Sequence, residues 1–193
     1  MEYSIKNINL YKEGEKKVLW AFVHMPVIKK LREIYKKRKV FAGYKLGACL
    51  HITSETANLV LNFKEAGAEV FLCASNPLST QDDVAAYLVK NGISVFGKRG
   101  ESSKEYYKNI EKVAKKLPNF VIDDGADLIT FLHQNEKYIK NIIGATEETT
   151  TGVIRLKNLH KQKLLKFPVI AVNDAKTKYL FDNRYGTGQS TID

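Results

Sequence analysis

YKLGACLHITSETANLVLNFKEAGAEVFLCA, Tyr44 to Ala74, holds a complete strand–helix–strand unit. Tyr44 to Ile52 is a short apolar run with small residues inside it, the pattern of a strand buried on both faces. Thr53 or Ser54 supplies a helix N-cap, and Ser54 to Ala66 reads as a helix stopped by Gly67. Glu69 to Ala74 is a second apolar strand. A helix between two such strands is a crossover, so the strands run parallel.

The same alternation continues to the C-terminal end. Helices are expected over Gln81 to Lys90, Ser103 to Lys116, Ala126 to Asn135, Thr150 to Lys161 and Lys176 to Asn183. The intervening strands are Ser94 to Phe96, Phe120 to Asp123, Asn141 to Gly144 and Val169 to Val172. Before the first strand, Val18 to Val23 reads as helical, and Pro26 opens another helix through about Lys37. The expectation is an α/β chain: a three-layer αβα Rossmann-like domain with a parallel sheet, preceded by N-terminal helices.

At 193 residues with 44% apolar and 27% charged residues, the chain suits one globular domain with a self-sufficient core. MEYSIKN is not a signal peptide, and no apolar run is long enough for a bilayer, so a cytoplasmic protein without membrane contact is expected. Cys49 and Cys73 end apolar runs and read as buried reduced thiols. Abundant Lys and Glu with few Met and Cys suit a thermophile. The net charge of +10 concentrates in KKLREIYKKRK, Lys29 to Lys39. Val27, Leu31, Ile34 and Tyr35 there read as one apolar helix face, with the lysines as its solvated side. Without aromatic interleaving or zinc-finger spacing, no nucleic-acid partner is expected.

In a parallel sheet, ligands sit beyond the carboxyl ends of the strands. The polar segments at those ends are HITSET (51–56), SNPLSTQDD (75–83), GKRGES (97–102), DDGADL (123–128), EETTTG (147–152) and NDAKTKYLFDN (173–183). His51 precedes the cap and should point into the cleft; with Glu55, four residues on, it could be half a metal site, but no partner motif completes one. Asp123 and Asp124 project to opposite sides of an extended chain, so one can cap the next helix while the other faces the cleft. Lys178 and Asp182, four apart, form either a surface ion pair or a lysine oriented for proton transfer. Three consecutive threonines start a helix poorly but place three hydroxyls at its N-terminus. GTG at Gly186 to Gly188 follows no strand and is no dinucleotide fingerprint. No Walker loop, paired CxxC or serine-triad motif is present.

GACLHITSET, SNPLSTQDD, DDGADL, EETTTGV and VNDAKTKYLFDNRYG together resemble the successive motifs of the S-adenosylhomocysteine hydrolase family, from about Pro26 onward. The SNPLSTQDD and YGTGQS forms, with Ser75 and Thr187 where other members carry cysteine, resemble its archaeal or thermophilic branch. The resemblance implies an NAD-dependent enzyme of the methyl cycle. NAD oxidises the ribose 3′-hydroxyl, the ketone acidifies the 4′ hydrogen, homocysteine is eliminated, water adds, and the ketone is reduced to give adenosine. It also implies the site residues. Thr53 and Glu55 would face adenine, and His51 the 5′ carbon. Asp124 would stand at the 4′ hydrogen. Glu148, Lys178 and Asp182 would hold the ribose, with Lys178 the base for the 3′-hydroxyl. Thr149, Thr150, Thr151 and Asn183 would touch NAD. Family chains continue into an NAD-binding domain and assemble as homo-oligomers. Residues 1–193 therefore read as the substrate-binding domain alone, inactive without the cofactor domain. A free-standing nucleoside-thioether binding module and an S-inosylhomocysteine-preferring hydrolase are the alternatives.

Overall fold

The computed structural model describes residues 1–186 together with Gly188 and Ile192; Thr187 lies outside them. In chain order the elements are α1 (Tyr11–Val23), α2 (Pro26–Arg38), β1 (Lys45–Leu50), α3 (Ser54–Glu65), β2 (Glu69–Ala74), α4 (Asp82–Lys90) and β3 (Ser94–Phe96). Then come α5 (Ser103–Ala114), β4 (Phe120–Asp123), α6 (Asp127–Gln134), β5 (Gly144–Glu147), α7 (Thr150–Lys161), β6 (Val169–Ala171) and α8 (Lys176–Tyr179). Among the described residues six strands form one sheet in the order β3-β2-β1-β4-β5-β6, with each of these pairings parallel.

Strand alternation divides the core. Leu46, Ala48 and Leu50 of β1 join Val70 and Leu72 of β2 in a cluster with Val18 of α1, Val60 of α3 and Leu88 of α4. Cys49, Phe71 and Cys73 point the other way, toward Ile110 of α5, Leu128 of α6 and Leu156 of α7. The helices therefore sit on both faces, the three-layer arrangement expected. Both cysteines are free and buried. Over β4 to β6, the α3 side of the sheet carries an apolar groove of about 390 Å³ that includes Phe41, Phe63, Phe120 and Ile170. Among the described residues no helix is long and apolar enough to cross a membrane.

Local chemistry sets the boundaries. Thr53 caps α3, its hydroxyl 3.5 Å from the Thr56 N–H. Gly67 ends that connection at φ +106°, where a Cβ would also lie 2.9 Å from the backbone of Ala42. Ser102 and Glu105 form a full capping box at the start of α5.

Three expectations change. The fifth strand is Gly144–Glu147, not Asn141 to Gly144. Ile143 is half exposed, and it is Ala145 and Glu147 that turn inward. Helix α8 ends at Tyr179, and the chain widens into a π-helical turn over Asp182–Gly186 instead of running as a continuous α-helix to Asn183. In α2, Val27 and Ile34 are exposed while Ile28, Leu31 and Tyr35 are half-buried. The half-buried stripe follows 28, 31 and 35, the i, i+3, i+7 line of one helix face, whereas Val27 and Ile34 fall off its edge.

Candidate active site

The strand order reverses direction between β1 and β4. That makes the crevice at their carboxyl ends the topological switch point, where α/β sheets bind ligands. His51 leaves β1 and Asp124 leaves β4, and the two meet there: His51 Nε2 lies 3.1 Å from Asp124 Oδ2. On the ring's other side, Nδ1 is 2.6 Å from Ser79 Oγ, on the loop after β2. The hydrogen bond to Asp124 holds the His51 pKa above its usual range; burial opposes this and the Glu148 charge adds to it.

The Asp123–Asp124 pair divides as its alternation requires. Asp123 is fully buried; its Oδ2 accepts the Ile129 N–H at 2.7 Å and its Oδ1 the Asp124 N–H at 3.0 Å. It ties down the start of α6, and burial pushes its carboxyl up to about 8. Asp124 is the one left for the crevice.

EETTTG divides its labour in a way the sequence alone did not show. Glu147, the last residue of β5, is fully buried. Its carboxylate accepts the backbone N–H groups of Gly125, Ala126 and Thr149, each at 2.9 Å, and so joins the loops after β4 and β5. Gly152 is small because Glu147 lies against it: a Cβ there would fall 2.3 Å from Glu147 Cδ. Glu148 turns into the crevice, flanked by Asp124, Lys178 and His51. Burial first, and then the Asp124 charge, push its carboxyl up to about 7.

Beyond β6, Asn173 is a buried hub that sequence reasoning did not single out. Its Oδ1 accepts Lys178 Nζ at 3.3 Å, Asn183 Nδ2 at 3.1 Å and Thr150 Oγ1 at 3.4 Å. Lys178 Nζ also donates to Asn183 Oδ1 at 2.5 Å and lies 3.3 Å from Asp182 Oδ2. Lys178 and Asp182 are thus paired as their spacing required, although a turn rather than a continuous helix brings them together.

His51, Asp124, Glu148, Lys178, Asp182 and Asn183 therefore converge. Thr53 is engaged as a cap. Glu55 is exposed in the first turn of α3, where its Oε1 accepts the Ser54 hydroxyl at 3.0 Å. Thr149 stands at the N-cap of α7 without a side-chain cap bond, and Thr150 and Thr151 are exposed. Thr150 donates its hydroxyl proton to Asn173, while the Thr149 and Thr151 hydroxyls are spare donors and acceptors at a helix N-terminus, which suits a polar cofactor edge. Ser79, Glu147 and Asn173 are the residues missed; each lay inside a polar segment at a strand end.

The family model for S-adenosyl-L-homocysteine hydrolase matches residues 2–140 and 134–186. The chain belongs to that family. The adenosylhomocysteinase of Aquifex aeolicus is 57% identical across all of this chain, which covers 47% of it. That of Sulfolobus acidocaldarius is 54% identical, again across the full chain and 46% of the relative. An S-inosyl-L-homocysteine hydrolase from Methanocaldococcus jannaschii is 53% identical over 99% of this chain and 46% of its own length. The chain thus spans about half the length of the curated relatives it matches.

Four raised carboxyls among the described residues, Glu101, Asp123, Glu147 and Glu148, give this family member a pH signature. Asp123 stands at about 8, and Glu148 and Glu101 at about 7, burial being the first cause in each. Glu101 lies beside α5, with one carboxyl oxygen on Asn109 and the other buried without a partner. Folded-state values above the unfolded ones mean that the native chain binds more protons. Their contribution to stability is therefore fully present below the ordinary carboxylate range and is lost as pH rises from there toward 8. Glu65 and Glu105, lowered by Arg32 and Lys98, act in the opposite sense and only below that window. Glu101→Gln is expected to flatten the decline, recovering on the order of 2 kcal/mol at about pH 8 relative to about pH 5 in urea denaturation. An unchanged slope would place the cost elsewhere.

Proposed function

We propose that this chain is the substrate-binding half of an enzyme that hydrolyses S-adenosylhomocysteine to adenosine and homocysteine, with NAD held mainly by a partner domain of the same longer protein. The observation that carries the reading is the convergence of His51, Asp124, Glu148 and Lys178 at the β1–β4 switch point, in a protein of this family. NAD would supply the oxidation of the ribose 3′-hydroxyl and its later reversal. Thr149, Thr150, Thr151 and Asn183 are the residues of this chain that would hold it.

The remaining steps are proton movements that these side chains are placed to make. Lys178 Nζ, as the free amine with its two N–H bonds on asparagine oxygens, takes the 3′-hydroxyl proton on its lone pair. Glu148, raised to about 7, changes protonation near neutrality and binds a ribose hydroxyl in either state. Asp124 serves the 4′ position, and His51 gives its Nε2 proton to the departing thiolate and later accepts one from water. Thr53 and Glu55 face the base.

Glu148→Ala and Thr150→Val in the full-length protein separate the two halves of EETTTG. Loss of a charged hydrogen bond to ribose lowers kcat/KM about tenfold to a hundredfold for Glu148→Ala. Thr150→Val is expected to speed NAD release at nearly constant apo melting temperature. A lower apo melting temperature with an unaltered NAD off-rate would give the threonines a structural role only. The inosyl substrate is the second reading, favoured by the Methanocaldococcus jannaschii relative, nearly as similar as the adenosyl enzymes. Comparing kcat/KM for the two nucleosides decides between them.

A further inference from the structure

The loop from Ser75 to Thr80 is pinned along its length. Ser75 N–H donates to the Leu50 carbonyl at 3.2 Å, and Gly100 N–H to the Pro77 carbonyl at 2.8 Å. Asn76 Oδ1 accepts the Leu78 N–H at 2.8 Å, closing an Asx turn. Just beyond, Gln81 N–H reaches the Ile52 carbonyl at 2.9 Å, next to His51. Ser79 is thereby fixed in place, with its hydroxyl donating to the Asn76 carbonyl at 3.3 Å.

When the ring is an imidazolium, the Ser79 proton is directed to the Asn76 carbonyl and the same oxygen accepts from His51. The imidazolium has two N–H groups, and each meets an acceptor: Nδ1–H meets Ser79 Oγ at 2.6 Å, and Nε2–H meets Asp124 Oδ2 at 3.1 Å. We infer that Ser79 is a positioning residue for His51, one that holds the ring by Nδ1–H so that Nε2 is the nitrogen that gives up and regains a proton. When the Nε2 proton leaves, the remaining proton stays on the nitrogen that Ser79 engages. The step needs no further group: one proton leaves Nε2 for the sulfur of the departing thiolate, and one returns from water. The charged groups facing His51 are Asp124 from the end of β4 and Glu148 from the end of β5, with Lys178 beyond Glu148.

Ring orientation is independent of the proposed function; only the destination of the Nε2 proton rests on it. The test is ¹⁵N-resolved NMR of the His51 imidazole in the 193-residue chain. Ser79→Ala keeps the Asx turn and the pinned backbone. It is expected to speed exchange of Nδ1–H with water about tenfold and to lower the His51 midpoint by roughly half a pH unit, since a hydrogen bond to the charged form is lost. Ser79→Thr, which retains the hydroxyl, should restore both, and Asp124→Asn should lower the midpoint further. Wild-type exchange and midpoint in Ser79→Ala would overturn the assignment. In the full-length protein, Ser79→Ala should reduce kcat about tenfold with little change in KM. Altered NMR behaviour beside wild-type turnover would leave Ser79 as the positioning residue and remove His51 from the chemistry instead.

Discussion

Lys178→Met in the full-length protein is expected to slow the first oxidation step by roughly 10²–10⁴-fold, the range lost with a general base. Methionine has nearly the length of lysine, so the half-buried stem keeps its packing. What disappears is Nζ, with its bonds to Asn173 and Asn183 and its pairing with Asp182. Asn173 still holds Thr150 and Asn183, so the turn after α8 keeps its frame. A second consequence runs through Glu148, whose carboxyl Lys178 pulls down; without that charge the carboxyl rises further and ionises less at neutral pH. The measurement is the appearance of reduced nicotinamide in the first turnover, beside thermal melting of wild type and variant. A near-normal first step would reduce the Lys178–Asp182 contact to an ordinary surface pair.

Gly152→Ala carries the largest expected cost in stability. The new methyl would fall 2.3 Å from Glu147 Cδ and Oε1 and 2.7 Å from Oε2. The carboxylate cannot move aside freely, because it is buried and satisfies three backbone N–H groups of two loops. Displacing it leaves both the acid and the donors without partners. A loss of about 3–5 kcal/mol follows, a large part of the stability of a domain this size. Urea denaturation of the chain measures it, and a double-mutant cycle gives the mechanism. In a Glu147→Ala background the obstructing carboxyl is gone, so Gly152→Ala should then cost under about 1 kcal/mol. Additive losses in the cycle would show that the clash is not with Glu147.

Much of this architecture is legible from residues near one another in the chain. The Tyr44–Ala74 unit announces itself because its strands are apolar and its helix carries both a cap and a glycine stop. The DDG alternation follows from strand geometry alone: one carboxylate inward on Ile129 and Asp124 N–H groups, the other toward His51. The misplacement of β5 has a physical cause. Ile142 and Ile143 are the more apolar pair, but pairing with β4 runs from Gly144, and Glu147 is buried there by distant N–H groups. The same distance hid the separate jobs of Glu147 and Glu148, which are chemically identical in sequence. Ser79 and Asn173 were hidden likewise. A serine or asparagine in a polar loop has many uses, and only the folded chain sets Ser79 against His51 and Asn173 among three donors.

If these residues form the substrate half of a nucleoside-thioether hydrolase, its chemistry also needs an NAD-bearing domain. Homocysteine release from S-adenosylhomocysteine with added NAD tests it most directly, measured for the full-length protein, its Lys178→Met variant and the purified 193-residue chain. Release by the full-length protein alone, with none from the variant or the isolated chain, is the predicted result. Release from the isolated chain, or at a wild-type rate from the variant, would show that hydrolysis does not need the second domain or Lys178, respectively.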